Sequence, residues 1–494
     1  MENRNLNRKW KPEVFQNKQM GRKAAAFMLA VLLAGSLAGC NSTNSNMSAA
    51  ASSDTSSSTE MSSAFSSDQS TSEESNIKIS TETSQQTTTE NSSSDLDQTT
   101  GKSSTTSTTQ TTSDPLMEDL LSIDQKQVEA ILDQMSLEEK CAQMFIVEPE
   151  ALLSDAPVAP NENGGVTVTD YSQIAAMQQS IPVGGIILFA RNLQSADQVR
   201  NLLAQTNQTS IHQLGIPAFL SIDEEGGSVA RIAKSGILGQ IDEPGAQEIA
   251  DMGDVNQAYL EGSEIGKHLH DLGFNMDFAP VMDVLTNPDN PVMHGRTYGN
   301  DPLKAAQFAL AFGKGLLEQD VLPVYKHFPG HGDTAEDSHE GYTYLNKTLD
   351  ELLACELIPF QDAVDDKMPL IMASHIALPN VTNSQLPATL SPDILTGILR
   401  YRMGYQGLIV TDSMEMKAIT SRYSSTDATG GTISAGADLI LMPENFQSDY
   451  WTLVEKVKSG QISEDRIDES VRRILRVKLA LAKSQNQPST ESDQ

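Results

Sequence analysis

Between residues 115 and 484 the chain carries eight short apolar runs, each four to seven residues long and bounded by turn-forming residues. They lie at 143–147, 183–189, 217–222, 274–278, 321–326, 369–373, 407–410 and 437–442. Short runs rich in Ile, Val, Leu and Phe have the pattern of strands buried on both faces, as in a parallel sheet. Between them lie longer amphipathic stretches, at 196–213, 246–272, 303–319, 349–364 and 463–481. Strands alternating with helices predict an α/β fold, and eight such units favour a closed (β/α)8 TIM-type barrel over an open doubly wound sheet, which stays as the alternative. A block of about 370 residues is large for one domain but fits a decorated barrel. Two helix starts are legible. Ser136-Leu137-Glu138-Glu139 has an N-cap followed by early acids, and Ser391-Pro392-Asp393 puts Pro at the first helical position.

The sequence before this block obeys different rules. Residues 1–23 hold seven Lys or Arg against two acids, and 24–38 is an almost wholly apolar run ending in Leu37-Ala38-Gly39-Cys40. A spanning helix needs about 20 apolar residues, so this shorter run fits the core of an export signal, with an uncleaved anchor as the alternative. Small residues before Cys40 resemble a bacterial lipoprotein signal, which implies lipidation at Cys40 and residues 1–40 as signal peptide with lipobox. In 41–114 more than half of the residues are Ser or Thr, and no strand or helix period survives. That composition predicts a disordered tether, because it buries too little apolar surface to offset the entropy of ordering. Residues 485–494 read as a polar tail. The expected location is outside the cytoplasm, lipid-anchored on the membrane and facing the cell wall or the exterior.

Charge narrows the function. With 66 Asp and Glu against 34 Lys and Arg, the chain has a net charge of -32. It should be repelled by phosphate backbones, so no nucleic-acid partner is expected. Three cysteines, Cys40, Cys141 and Cys355, cannot build a disulfide framework. Cys141 and Cys355 read as small buried residues. No protein partner is inferred.

Almost every predicted strand is followed by groups that no apolar core would select. Asp223, Glu224 and Glu225 follow the third, Asp277 and Asp283 surround the fourth, Lys326 and His327 end the fifth, Ser374 and His375 the sixth, and Asp412 the seventh. In a barrel the carboxyl ends of the strands converge on one mouth, where active sites form. The densest stretch runs from Lys326 through His331 to His339, with Pro329, Gly330 and Gly332 imposing a loop. Asp337 and His339 are one residue apart, so a bent loop can set the carboxylate on an imidazole nitrogen and fix its tautomer. Asp412 ends an apolar strand. The plainer reading is an N-cap; the chemical one is a carboxylate nucleophile that attacks the anomeric carbon of a sugar. Arg296 and Lys326 offer donors to a ligand, and Asp223 offers acceptors to vicinal hydroxyls.

Lys326-His327-Phe328-Pro329-Gly330-His331-Gly332 with Asp337-Ser338-His339 resembles the family 3 glycoside hydrolases, in their β-N-acetylhexosaminidase (β-N-acetylglucosaminidase) branch. Ile222-Asp223-Glu224-Glu225-Gly226-Gly227 and Val410-Thr411-Asp412-Ser413-Met414 match two further segments of that family. The resemblance runs from about Leu132 to Leu481. It implies that Asp412 is the nucleophile of a retaining double displacement, that His339 is the acid/base, and that Asp337 orients it. It further implies a sugar subsite lined by Asp223, Arg231, Arg296, Lys326 and His327, with no cofactor and no metal. The implied activity is exo-acting removal of terminal β-linked N-acetylglucosamine from N-acetylhexosaminide-containing glycans or muropeptides. Two departures stand out. The acidic motif of the family usually has Gln where Glu224 stands and often Arg where Ser228 stands. Many relatives add a second α/β domain, whereas the barrel pattern here ends near Lys483.

Three other functions use the same residues. A histidine acid/base repels an incoming anion less than a carboxylate would, so phosphorolysis at the same site is one alternative. His327, His331, Asp333, His339 and His375 as ligands of a divalent metal would make a metal-dependent hydrolase. A non-catalytic lipoprotein that binds cell-wall sugars is the third.

Overall fold

The computed structural model describes residues 115–154 and 166–484. The expectations for 1–40, Cys40, 41–114 and 485–494 lie outside the described residues. A strand begins within every predicted run: β1 Phe145–Val147, β2 Gly185–Ile187, β3 Phe219–Ile222, β4 Met276–Asp277, β5 Leu322–Phe328, β6 Leu370–Ala373, β7 Leu408–Thr411 and β8 Ile440–Leu441. Neighbours pair in parallel all along the chain, from β1–β2 through β6–β7, and β8 lies beside β1 with Phe145 opposite Ile440. A parallel bridge between Val410 and Leu439 joins β7 to the lead-in of β8. Thr411 N–H donates to Leu439 O at 3.1 Å, and Leu439 N–H to Ile409 O at 3.0 Å. These bonds close the ring, so the sheet is a barrel rather than an open sheet.

Helices occupy the amphipathic stretches, with local breaks that periodicity did not display. The predicted 246–272 is two helices, Ala246–Met252 and Val255–Leu272, separated at Gly253, which sits at φ 75°. The stretch 349–364 divides at Cys355 into Leu349–Ala354 and Leu357–Asp365. Ser136 forms a full capping box with Glu139. The helix after Pro392, Asp393–Arg402, is wound in the wider π register and ends with Met403 N–H on Ile398 O. Val255–Leu272 and Pro302–Leu317 meet at Gly262, where a Cβ would stand 2.1 Å from the Phe312 carbonyl. From the helix Glu464–Ser484, the buried Lys478 reaches the amino ends of β1 and β2 and donates to Gln143 Oε1 at 2.8 Å and Gly184 O at 2.7 Å.

Two small pairings decorate the carboxyl rim. Glu224–Gly226 pairs antiparallel with Val229–Ala230, folding the segment after β3 back on itself. Thr343–Tyr344 pairs in parallel with Ile376–Ala377, joining the segments after β5 and β6. Cys141 and Cys355 are free thiols, Cys141 buried and Cys355 half-buried; burial pushes the Cys141 thiol up to about 12. Among the described residues no helix is long and apolar enough to cross a membrane.

Candidate active site

At the carboxyl rim the strand ends surround a cavity of about 870 Å³. Asp223, Arg231, Arg296, Lys326, His327, His339 and Asp412 all line it. Asp337 is not on that wall. It stands behind His339, and its Oδ1 lies 2.7 Å from His339 Nδ1 while accepting the His339 backbone N–H at 2.8 Å. The backbone bond fixes the carboxylate, which as an acceptor takes the proton of Nδ1 and leaves Nε2 for the cavity. The His339 side chain is 60% exposed, so a ligand can reach it.

Asp412 follows directly on β7, and its backbone N–H is anchored on Ala373 O of β6 at 2.8 Å. It is not an N-cap: the next helix begins at Lys417, preceded by Met416. Its Oδ1 accepts the Ser413 N–H at 2.8 Å. Burial alone would raise its pKa. The imidazoles of His327, His375 and His339 and the Ser413 N–H outweigh that and hold the carboxyl below its ordinary value, so it is ionised near neutrality. His375 supports the same turn from beneath, with Nε2 2.8 Å from Ser413 O and Nδ1 2.9 Å from Thr389 Oγ1.

Consecutive strand residues ordinarily point to opposite faces. Lys326 and His327 nevertheless both line the cavity, because the register of β5 against β6 shifts between Tyr325 and Phe328. The strand also runs two residues beyond its predicted end at Lys326. Asp283, expected at the mouth, lies fully buried behind His327. It takes Nδ1 of that ring at 2.7 Å and the His331 N–H at 2.6 Å. His331 is buried between two hydroxyls, Thr334 Oγ1 at 2.8 Å from Nδ1 and Ser338 Oγ at 3.0 Å from Nε2. Burial, aided by the charge of His327, pushes its pKa down to about 4, so the ring is neutral. Gly332 permits the close packing of this loop, since a Cβ there would lie 1.9 Å from Val284 O.

The opposite wall is an alternating charge array. Lys326 Nζ lies 3.0 Å from Asp223 Oδ1 and 2.7 Å from Glu225 Oε1. Arg231 Nη2 reaches Asp223 Oδ2 at 3.0 Å. Arg296 binds Glu225 with both Nε and Nη2, at 2.8 and 2.7 Å. Burial opposes ionisation of Asp223 and Glu225, but the cations outweigh it and hold both carboxyls below their ordinary values. Sequence reasoning left Glu225 out of the site, along with Glu148, Arg191, Glu415 and Glu444, which line the same cavity. For Glu225, its position in Asp223-Glu224-Glu225 was the available signal, but which of three neighbouring acids faces the cavity depends on the hairpin.

Glu224, where the family usually has Gln, faces away from the cavity. Its carboxylate accepts the backbone N–H groups of Arg231 at 2.7 Å, Ile232 at 2.8 Å and Ala233 at 3.0 Å, so it fixes the turn that delivers Arg231. Its own N–H is held by Asp277 Oδ1 at 2.8 Å, which explains the acid found inside β4. Glu243 hydrogen-bonds Glu224 from the far side. Burial, and then the charge of Glu224, hold the Glu243 carboxyl far above its ordinary value, so Glu243 carries the proton of the pair.

The residues a metal reading would use are committed elsewhere. His331 and His375 have both ring nitrogens in protein hydrogen bonds, and Asp333 pairs with Lys347 at 3.2 Å. Among the described residues no three His, Cys, Asp or Glu side chains converge as a ligand set.

A parallel barrel whose carboxyl rim gathers an ionised carboxylate, an oriented imidazole and a charge array has the groups for nucleophilic and acid/base catalysis at one site. The chain belongs to glycosyl hydrolase family 3: residues 136–477 match that family's N terminal domain. It is 36% identical over 328 residues to beta-hexosaminidase A of Pseudoalteromonas piscicida, covering 61% of this chain and 54% of that protein. It is 34% identical over 271 residues to the beta-hexosaminidase LpqI of Mycobacterium tuberculosis, covering 53% of this chain and 68% of the relative. The chain thus spans about half the length of the first relative and about two thirds of the second. Among solved structures, a family 3 beta-N-acetylglucosaminidase from Paenibacillus sp. str. FPU-7 superposes with a TM-score of 0.64 at 34% identity, covering 73% of this chain and 65% of that one.

Proposed function

We propose that the chain is an exo-acting, retaining β-N-acetylhexosaminidase that removes terminal β-linked N-acetylglucosamine. The observation that carries this reading is that Asp412 and the Asp337-oriented His339 line one cavity. The named activities of its relatives support the same substrate class.

The geometry supplies each step. Asp223, its charge balanced by Lys326 and Arg231, accepts hydrogen bonds from ring hydroxyls, while Lys326, Arg296 and His327 donate to the sugar's oxygens. The Asp412 carboxylate attacks the anomeric carbon as the bond to the leaving oxygen breaks, forming a glycosyl ester. His339 Nε2–H passes its proton to that oxygen, and Asp337 stabilises the charged ring through Nδ1–H. After the aglycone leaves, the neutral Nε2 takes a proton from water, whose oxygen attacks the anomeric carbon and releases Asp412. The sugar leaves with its β configuration retained.

Export and lipid attachment at Cys40, with 41–114 as tether, belong to the same proposal. The signal-like composition of 1–40 supports them. They place the enzyme at the membrane, where peptidoglycan fragments and muropeptides are the natural β-N-acetylglucosaminides. A panel of chromogenic β-glycosides, with and without the 2-acetamido group and with and without phosphate, tests the activity. Release of N-acetylglucosamine that needs the acetamido group and is indifferent to phosphate supports the reading. A sugar 1-phosphate as product would replace it with phosphorolysis, and binding without turnover would replace it with a sugar-binding role.

A further inference from the structure

The loop that carries His339 is bound to the segment following Asp412 at three successive points. Ser338 O accepts the Ala418 N–H at 3.3 Å. Glu340 Oε2 lies 2.8 Å from Lys417 Nζ. The Arg422 guanidinium stands 4.3 Å from the centre of the Tyr342 ring. Every second residue from Ser338 to Tyr342 therefore holds a partner on 417–422. The far end of the loop is fixed as well: Tyr342 stacks on Tyr344 at 5.7 Å, and Thr343–Tyr344 pairs with the strand after β6.

From this geometry we propose that Lys417 and Arg422 are positioning residues for His339, forming a clasp with Glu340 and Tyr342 that sets the proton donor at its working distance from the nucleophile. This rests on the reading of His339 as proton donor. The nucleophile and the clasp share one chain segment, Asp412 to Arg422, so the spacing between the two catalytic groups is imposed locally and not through the whole barrel. The Lys417–Glu340 pair is open to solvent, with Lys417 61% and Glu340 72% exposed, and the exposed Arg422 lies over a half-buried Tyr342. Each is therefore worth about two- to fivefold in the population of the clasped loop, and both together about tenfold.

In the steps that kcat/KM reports, up to departure of the aglycone, the clasp acts through proton transfer to the leaving oxygen, so its loss must depend on the leaving group. The test measures kcat/KM over a series of aryl β-N-acetylglucosaminides, from 2,4-dinitrophenyl, which departs without a proton, to phenyl, which needs one. Arg422→Gln and Tyr342→Leu are expected to lower the phenyl value about three- to fivefold while leaving the dinitrophenyl value unchanged. Lys417→Glu should lower the phenyl value too, and adding Glu340→Lys should restore it by re-forming the pair with its charges exchanged. Equal losses on both leaving groups, no loss on either, or no restoration by the charge exchange overturns the clasp. His339→Ala on the same series separates the two readings. If it shows the leaving-group dependence and the clasp variants do not, only the clasp falls; if it lacks that dependence, both fall.

Discussion

Glu243→Gln should make the protein more stable, by an amount that grows with pH. Glu243 is 7% exposed and, in the fold, carries the proton between it and Glu224, a carboxyl that burial also raises although three backbone N–H groups oppose the rise. In the unfolded chain it ionises with the ordinary glutamate pKa of about 4.3. Below that value both states are protonated and the group contributes nothing to pH dependence. Above it the native state holds one proton that the unfolded state has released, so stability falls as pH rises. For a single retained proton the slope is about 1.4 kcal/mol per pH unit. Glutamine keeps a donor facing Glu224 and takes up no proton, so the advantage of the variant over the wild type should rise by roughly 1.4 kcal/mol per pH unit, or about 3 kcal/mol between pH 6 and 8. A folded block of about 370 residues has an unfolding entropy near 0.8 kcal/mol/K, which converts this to a Tm difference growing by about 2 °C per pH unit. Thermal unfolding of both proteins between pH 5 and 8 measures it. A Tm difference that is flat or shrinks as pH rises would refute the shared proton.

Asp412→Ala should lower turnover by about a thousandfold or more with the fold intact, read as kcat on a chromogenic N-acetylglucosaminide beside an unchanged melting curve. His339→Ala should lower kcat/KM on phenyl leaving groups by about 10² to 10⁴ and leave the 2,4-dinitrophenyl value near wild type; equal loss on both would remove His339 from the proton-donor role. Glu225→Gln takes from Lys326 and Arg296 the carboxylate that neutralises them both. It should destabilise the protein by about 3 kcal/mol or more and raise KM, measured by chemical denaturation and by substrate saturation.

The strands were legible because a parallel sheet buried on both faces demands uninterrupted apolar residues, and a strand begins within each of the eight runs. The Asp337–His339 contact was legible for an equally local reason, since two residues one apart on a bent loop cannot avoid each other. Element ends were harder. The helix breaks at Gly253 and Cys355 fall within amphipathic patterns that continue across them, and the extension of β5 to Phe328 comes with a bulge that apolar periodicity does not register.

Sequence alone determined which chemistry was available: a carboxylate after β7, an imidazole loop after β5, and acids with cations after β3 and β5. It also placed them at strand ends, because ionisable groups are excluded from a core that must stay apolar. Tertiary structure decided how the acids divide their work. Asp223 and Glu225 face the cavity, Glu224 turns away to hold the chain at Arg231, Asp277 bears Glu224, and Asp283 backs His327. Apart from Glu224 and Arg231, these partners lie at least 44 residues apart along the chain, and the free energy of a buried charge depends on what closure of the barrel brings within a few ångströms of it.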